Sequence, residues 1–403
     1  YGDEYFHYQT TLDGYSVSQG EDGFYYYLEE KAGTIGRSSV RANNQGQRNS
    51  AENAMLGTLR KELVNRASLT SAAMRRSGAA IARAERVERR VASEDSAPML
   101  RAPATKADPT SAKVLVILVN YSDLTFRTAN NQSAFNNLLN QTGYSTGGAT
   151  GSARDYFYDS SCGTFQPQFD VVGPVTLPYG YAYYGANDVN GDDVRPGEMI
   201  RDACMVAKTQ VARLNFADYA TNGEVEHLFV ICAGKGEADG GADDTIWPHE
   251  WALRWALGSA ITLDGVKINT YACSPELKGS GALTGVGVIC HEFGHVLGIP
   301  DFYDTDGDDN GRAETPDVFS LMDYGPYLND GMTPPAMSSY ERYVAGWLTY
   351  EDITSEGTYT LEARSLYDNN KAYRIKTFNT SGQGEVFVFE NRNCLLNKWD
   401  NFM

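Results

Sequence analysis

The run His291-Glu292-Phe293-Gly294-His295-Val296-Leu297-Gly298-Ile299-Pro300-Asp301 constrains this chain more than any other. Its histidines are four residues apart, so on a helix both imidazoles leave one face about a turn apart. Two ring nitrogens so placed can reach one zinc ion. Glu292, beside the first histidine, can face a metal-held water without binding the metal. Gly298 takes φ > 0 freely and can turn the chain sharply. Such a turn brings Asp301 back beneath the metal as third protein ligand. The fourth position then stays open to water, the mark of a catalytic rather than a structural zinc. The chain has 5 histidines, and this run uses two of them, which argues against a chance pairing.

The chain has 403 residues, enough for two or three domains and a large core. No run is apolar enough to span a membrane. The net charge of -18 argues against nucleic-acid binding. The charge is unevenly spread. Between Lys31 and Ala112 there are 15 Lys/Arg and 7 Asp/Glu, a balance of +8, which leaves -26 on the rest. A basic segment beside an acidic body suggests docking in cis, and a solvated basic linker is the plainer alternative. The six cysteines, Cys162, Cys204, Cys232, Cys273, Cys290 and Cys394, form no C-x-x-C pair, and their spacing selects no disulfide pattern. Cys232 lies in an apolar strand and Cys290 in the histidine helix, so both are expected to be buried thiols.

Residues 1–30 read as short antiparallel strands with turns at Asp13-Gly14 and Asp22-Gly23. A helix is expected near Ser50, with Leu56, Leu59 and Leu63 on one face. Pro98, Pro103 and Pro109 mark an extended linker. Val114 to Val119 is a buried strand. A short helix is expected from Ser152 to Tyr158, another from about Glu198 to Leu214, and a core strand from His227 to Ala233. Ile261 to Ser274, with its Asp264-Gly265 turn, reads as a hairpin or edge region. The histidine helix runs from about Thr284 to Leu297, and a further helix from Ser338 to Leu348. Strands are expected at Tyr373–Ile375 and Val386–Phe389. Because the chain stops just after a strand, a longer β module is expected to continue. A signal peptide is expected to precede this numbering.

Downstream, Ser320-Leu321-Met322-Asp323-Tyr324-Gly325 resembles the methionine turn of metzincin peptidases, an apolar floor beneath the metal ligands. That resemblance makes Met322 the floor. Tyr324 sits where astacin-like enzymes place a tyrosine near the metal. Its hydroxyl would donate to an oxyanion, and packing the turn is the alternative role. Glu314 competes with Asp301 as third ligand, as in thermolysin-like enzymes, but Gly311 and Pro316 disfavour the helix this needs. His249 either approaches the cleft or is a hydrogen-bonded structural residue.

Beyond the zinc run, further segments are similar to the secreted bacterial metallopeptidases of the immune inhibitor A type, the sixth metallopeptidase family. Gly2-Asp3-Glu4 and Asp13-Gly14-Tyr15 resemble the start of that family's propeptide. Arg154-Asp155-Tyr156-Phe157, Ser161-Cys162-Gly163, Gly234-Lys235-Gly236-Glu237-Ala238 and Thr245-Ile246-Trp247-Pro248-His249 resemble segments of its catalytic domain, and Gly346-Trp347-Leu348 and Phe389-Glu390-Asn391-Arg392 resemble later ones. The resemblance implies an α/β (α+β) metzincin-like zinc peptidase domain with a mixed sheet and an active-site helix. It implies a propeptide over 1–112, a catalytic domain over 113–350 and a β-rich segment over 351–403. It also implies protein or peptide substrates, a propeptide acting in cis, and a secreted or cell-surface location in a bacterium.

Two oxygen-rich runs have the alternating side chains of calcium loops: Asp304, Asp306 and Asp308, and Asp188, Asn190 and Asp192. Exposed polar turns are the alternative. The segment before Val114 holds no cysteine, so latency by a cysteine on zinc is excluded within it, and a carboxylate such as Asp3 or Asp22, or His7, could replace the zinc water instead. The leading expectation is a secreted zinc endopeptidase held as a zymogen. The non-enzymatic alternative is a calcium-dependent binding or adhesion protein with a vestigial zinc site, against which the intact Glu292 speaks.

Overall fold

The computed structural model describes residues 2–3, 6–7, 9–11, 13–19, 24–31, 34–43, 48–59, 61, 112–188, 193–303, 315–365, 370–378 and 384–403. They fall into two compact units, one N-terminal and one holding 112–303 and 315–403.

In the N-terminal unit, β1 (Gly2–Asp3) pairs with β2 (Phe6–His7). A four-stranded antiparallel meander follows: β3 (Gln9–Thr10), β4 (Ser16–Gln19), β5 (Tyr25–Lys31) and β6 (Thr34–Arg41). The expected turn at Asp13-Gly14 joins β3 to β4, with Gly14 at φ 90°. Helix α1 (Ser50–Leu56) starts where expected, capped by the Asn49 side chain. Val17, Tyr27 and Leu56 form its small core. The Tyr27 hydroxyl donates to buried Glu52 at 2.8 Å, and Arg48 grips Asp13 with two bonds of 2.6 and 2.7 Å. That fork holds the Asp13 carboxyl well below its ordinary range. Strand β6 carries no strand signal in its sequence, because its residues lie in a stretch of basic, small and polar composition. Leu63 and Asp22-Gly23 lie outside the described residues.

The larger unit is built on a five-stranded mixed sheet of order β12-β15-β11-β7-β8. Its strands are β7 (Lys113–Asn120), β8 (Gln168–Thr176), β11 (Leu228–Lys235), β12 (His249–Ala252) and β15 (Thr270–Leu277). Four run parallel, and β12 closes one edge antiparallel to β15. The apolar run Val114–Val119 is the signature of a strand covered on both faces, and all six residues are buried. Outside this sheet, β9 (Ala220–Thr221), β10 (Glu224–Val225), β13 (Ile261–Leu263) and β14 (Val266–Ile268) form a second one. The Asp264-Gly265 turn of its hairpin has φ of 51° and 79°, the left-handed pair of a type I′ turn.

One face of the main sheet is covered by α2 (Gln132–Asn140), α3 (Ala153–Ser160) and, after α4 (Tyr181–Tyr184), α5 (Pro196–Gln210) and α6 (Leu253–Ala256), by α7 (Val286–Val296). Helix α5 covers the other face with Met199, Ile200, Ala203, Cys204 and Ala207. Helix α3 has a capping box between Ser152 and Asp155. Helix α2 is an addition to the expected elements, since its apolar residues Phe135, Leu138 and Leu139 are too few to mark it out in the sequence.

After α8 (Ser339–Val344), β16 (Glu351–Asp352), β17 (Tyr373–Phe378) and β18 (Gly384–Phe389) form a small sheet. Beyond β18 the chain returns to the main core. Trp399 is fully buried, packs edge-on to Tyr156 and donates its indole N–H to Asp159 at 2.8 Å. Lys398 pairs with the same carboxylate at 2.9 Å. Residues 390–403 are therefore part of the wall of the sheet domain. All six cysteines are free thiols, and Cys232 and Cys290 are buried as the sequence implied. Among the described residues, no helix is long and apolar enough to cross a membrane.

Trp399→Ala leaves a large void and strips the indole donor from Asp159. It is expected to destabilise the larger unit by about 3–5 kcal/mol, read by denaturant unfolding. A loss under about 0.5 kcal/mol, the level of an ordinary surface substitution, would contradict a core role for the segment.

Candidate metal centre

Helix α7 is buried nearly all round; Glu292 and His295 are among its buried residues. Buried polar side chains need partners, and the fold supplies them through the way the helix ends. Gly298 adopts φ 91°; its N–H bonds to His295 O at 2.8 Å, and the Ile299 N–H bonds to Gly294 O at 3.1 Å. This pair of bonds is the Schellman closure of a helix, and it requires the left-handed conformation that glycine takes without strain. Ile299 is thereby turned back over the helix, and its carbonyl accepts the Nδ1–H of His295 at 2.7 Å. Two residues on, Asp301 faces both histidines.

The other histidine is held from a different element. The turn 321–324 passes beneath α7, and the Leu321 carbonyl accepts the Nδ1–H of His291 at 2.8 Å. Met322 is fully buried below Gly294, where an added Cβ would come within 2.8 Å of its sulfur. The Met322 carbonyl accepts the N–H of Phe302, next to Asp301, at 2.8 Å. One turn thus fixes the first histidine, supports the helix and anchors the chain that carries the aspartate.

A carbonyl can only accept, so each Nδ1 must carry the hydrogen, and in the neutral ring Nε2 presents its lone pair. The Asp301 Oδ1 atom lies 3.3 Å from Nε2 of His291 and 3.0 Å from Nε2 of His295. The three donor atoms all fall within 4.8 Å of one another, the one such His/Cys/Asp/Glu cluster among the described residues. Oδ1 is itself buried and makes no hydrogen bond of proper angle. Two nitrogen lone pairs and a carboxylate oxygen converging in a sheltered place need a cation between them. These residues fit a divalent metal of borderline softness. Without the metal, protons take over that role. Burial alone pulls the His291 ring down, but the carboxylates of Asp301 and Glu292 outweigh it and carry it up to about 9. Burial likewise opposes ionisation of Asp301, and His295 and His291 overcome it to hold the carboxyl well below its usual range.

Glu292 is 5 % exposed on the same helix, and its charge reaches His291. Tyr324 ends the turn with its side chain exposed. His249 is hydrogen-bonded: its Nδ1 lies 2.6 Å from the Trp247 carbonyl oxygen and its Nε2 3.1 Å from the Tyr271 hydroxyl. Its cross-strand partner Cys273 is buried and feels the negative charge of Glu292. Glu314, Asp304, Asp306, Asp308, Asn190 and Asp192 lie outside the described residues. Asp188 is described, and nearby Asp193 accepts the Trp247 N–H at 2.9 Å. Glu341 and Arg392, which brace the turn, are not evident from the sequence. The pattern Ser338-x-x-Glu341 signals a helix cap, but nothing in it signals a bond to a distant turn.

A helix offering two Nε2 atoms, a buried glutamate between them in sequence, and an aspartate returned by a glycine turn form a candidate metal site. Comparison with known proteins makes the assignment specific. The profile of immune inhibitor A peptidase M6, catalytic domain, matches residues 102–348, and the chain belongs to that family. Immune inhibitor A of Bacillus thuringiensis subsp. alesti is similar, 28% identical over 283 residues, which is 58% of this chain and 39% of that protein. Pre-pro-metalloprotease PrtV of Vibrio cholerae serotype O1 (strain M66-2) is 28% identical over 242 residues, 50% of this chain and 25% of that protein. The chain therefore spans well under half the length of these relatives. Membership implies a metal, typically zinc.

The raised His291 pKa makes a pH prediction for the metal-free chain. Protonated His291 stabilises the fold fully below its unfolded pKa of about 6.5, and that contribution is lost as pH rises through about 9. Chelator-treated wild type should therefore lose melting temperature between those pH values relative to His291→Gln. Parallel melting curves for the two proteins would contradict it.

Proposed function

We propose that this chain is a zinc-dependent endopeptidase in which His291, His295 and Asp301 hold the metal and Glu292 is the general base. The observation that carries this reading is the convergence of two carbonyl-oriented Nε2 atoms and Asp301 Oδ1 beside a buried glutamate. When bound, zinc supplies a Lewis acid that lowers the pKa of a water toward about 7 and draws charge from a carbonyl. Glu292 would take a proton from a water as its oxygen bonds to the scissile carbonyl carbon, and would deliver that proton to the amine nitrogen as the C–N bond breaks. Its shelter from solvent strengthens the electrostatics of both transfers. The Leu321 and Ile299 carbonyls keep the imidazoles in one tautomer and one orientation. Tyr324 is assigned to donate its hydroxyl to the carbonyl oxygen as charge develops there. Met322 beneath Gly294 supports the metzincin-like reading of the domain, with Met322 as the floor.

Residues 1–112 are proposed to be a propeptide acting in cis. Their basic segment against an acidic remainder supports this, as does the separate small core of the N-terminal unit. One relative is by name a pre-pro-metalloprotease, which supports both the propeptide and export from a bacterial cell. Protein or peptide substrates follow from the peptidase reading. Calcium is proposed at Asp304, Asp306 and Asp308, and at Asp188, Asn190 and Asp192, where it would neutralise carboxylates that are close in sequence.

Casein hydrolysis by the chain, after tryptic removal of the region before Val114, is expected to stop with a chelator and return with zinc. Glu292→Gln should lower the rate by about 10²–10⁴-fold while still binding one zinc per chain. His295→Ala should lose the zinc itself. Glu292→Gln with wild-type activity would exclude the assigned base. Equal rates from the intact and trimmed chains would exclude latency.

A further inference from the structure

We propose that Glu341 and Arg392 are positioning residues of the metal centre, gripping from behind the turn that aims its ligands. The proposal rests on the zinc-site reading and extends it to two side chains that touch no ligand. Arg392 also lies beyond residues 102–348, the stretch matched to the family.

Glu341 is fully buried in α8. One oxygen of its carboxylate accepts from the Ser320 hydroxyl at 2.8 Å and from the Met322 N–H at 3.1 Å. The other caps its own helix by accepting from the Ser338 N–H. Ser320 and Met322 flank Leu321, whose carbonyl orients His291. The carboxylate therefore clamps the chain on both sides of the atom that aims a ligand. Charged acceptors make the stronger hydrogen bonds, and here water does not compete.

Arg392 secures the approach to the same turn. Its guanidinium donates to the Phe319 carbonyl at 2.6 Å, immediately before Ser320, and to the Ala336 carbonyl at 2.8 Å. Asp400 pairs with it at 2.5 Å and accepts the Ala336 N–H at 3.0 Å. The planar fork spans two carbonyls and a carboxylate at once, which a lysine ammonium cannot do with the same geometry. Because Asp400 sits beside buried Trp399, the segment after β18 is locked to the core and acts as a fixed support.

Groups that orient metal ligands through hydrogen bonds typically change metal affinity by about 10–100-fold when removed. The test uses the full chain and reads zinc affinity by chelator competition, the visible spectrum of the cobalt(II) form, and the rise in melting temperature on adding zinc. Glu341→Ala and Arg392→Met are expected to weaken zinc binding about 10–100-fold, alter the cobalt bands and shrink the zinc-induced rise. Arg392→Lys should recover only part of the affinity. A merely structural role would lower the melting temperatures with and without zinc equally and leave affinity and spectrum as in wild type. That result in folded variants overturns the proposal. Should the larger changes prevent folding, Ser320→Ala decides, since it removes one hydroxyl from the clamp: weaker zinc binding supports the proposal, and wild-type affinity overturns it. A wild-type chain that takes up no zinc removes the metal-centre reading itself, and this proposal with it.

Discussion

Two hydrogen bonds from imidazole Nδ1 to backbone carbonyls govern the chemistry of this protein. They place the hydrogen on one nitrogen of His291 and of His295 and leave the other as a lone pair. Without them the rings would be free to rotate or change tautomer, and the motif would be two histidines on a helix. The bonds come from different origins. The Ile299 carbonyl is delivered locally, by the turn that ends α7 at Gly298. The Leu321 carbonyl arrives from a turn elsewhere in the chain. The centre is therefore half a local motif and half a tertiary assembly.

The surrounding fold exists in a form that holds that assembly still. Helix α7 lies on a sheet whose interior strands are covered on both faces, so it packs within a continuous core. Close packing leaves it little freedom to shift. Gly294 lets Met322 approach the helix where a side chain would collide. The turn bearing Leu321 and Met322 is itself tied into α8 through Glu341 and to the last residues of the chain through Arg392. A series of hydrogen bonds and ion pairs thus links the turn beneath His291 to Asp400.

The N-terminal unit differs in kind. Its core is small, and much of its order comes from polar anchors, such as Arg48 on Asp13 and Tyr27 on Glu52. The family match begins at residue 102, after this unit. A segment with its own modest core and its own charge balance suits a proposed role as a removable inhibitor, since its loss takes no strand from the main sheet.

The ligand run was legible in the amino-acid order because its information is local. Helical spacing puts His291 and His295 on one face, and the glycine at 298 allows the one backbone conformation that returns Asp301. The same is true of Val114–Val119, whose uninterrupted apolar character specifies a strand buried on both sides, and of the Asp264-Gly265 turn. Residues that act across distance left no such mark. Glu341 reads as an ordinary helix cap, Arg392 as one residue of a run similar to the family's, Trp399 as one aromatic near the end, and β6 as part of a basic stretch. Their roles depend on which backbone atoms meet them once the sheet, α3 and α8 have packed. Sequence alone determined which side chains are proposed to bind the metal, since that needs only side-chain type and spacing along one helix and turn. Tertiary structure alone decided which carbonyls orient the histidines and what holds those carbonyls in place, because hydrogen bonds between distant segments follow from packing and not from periodicity.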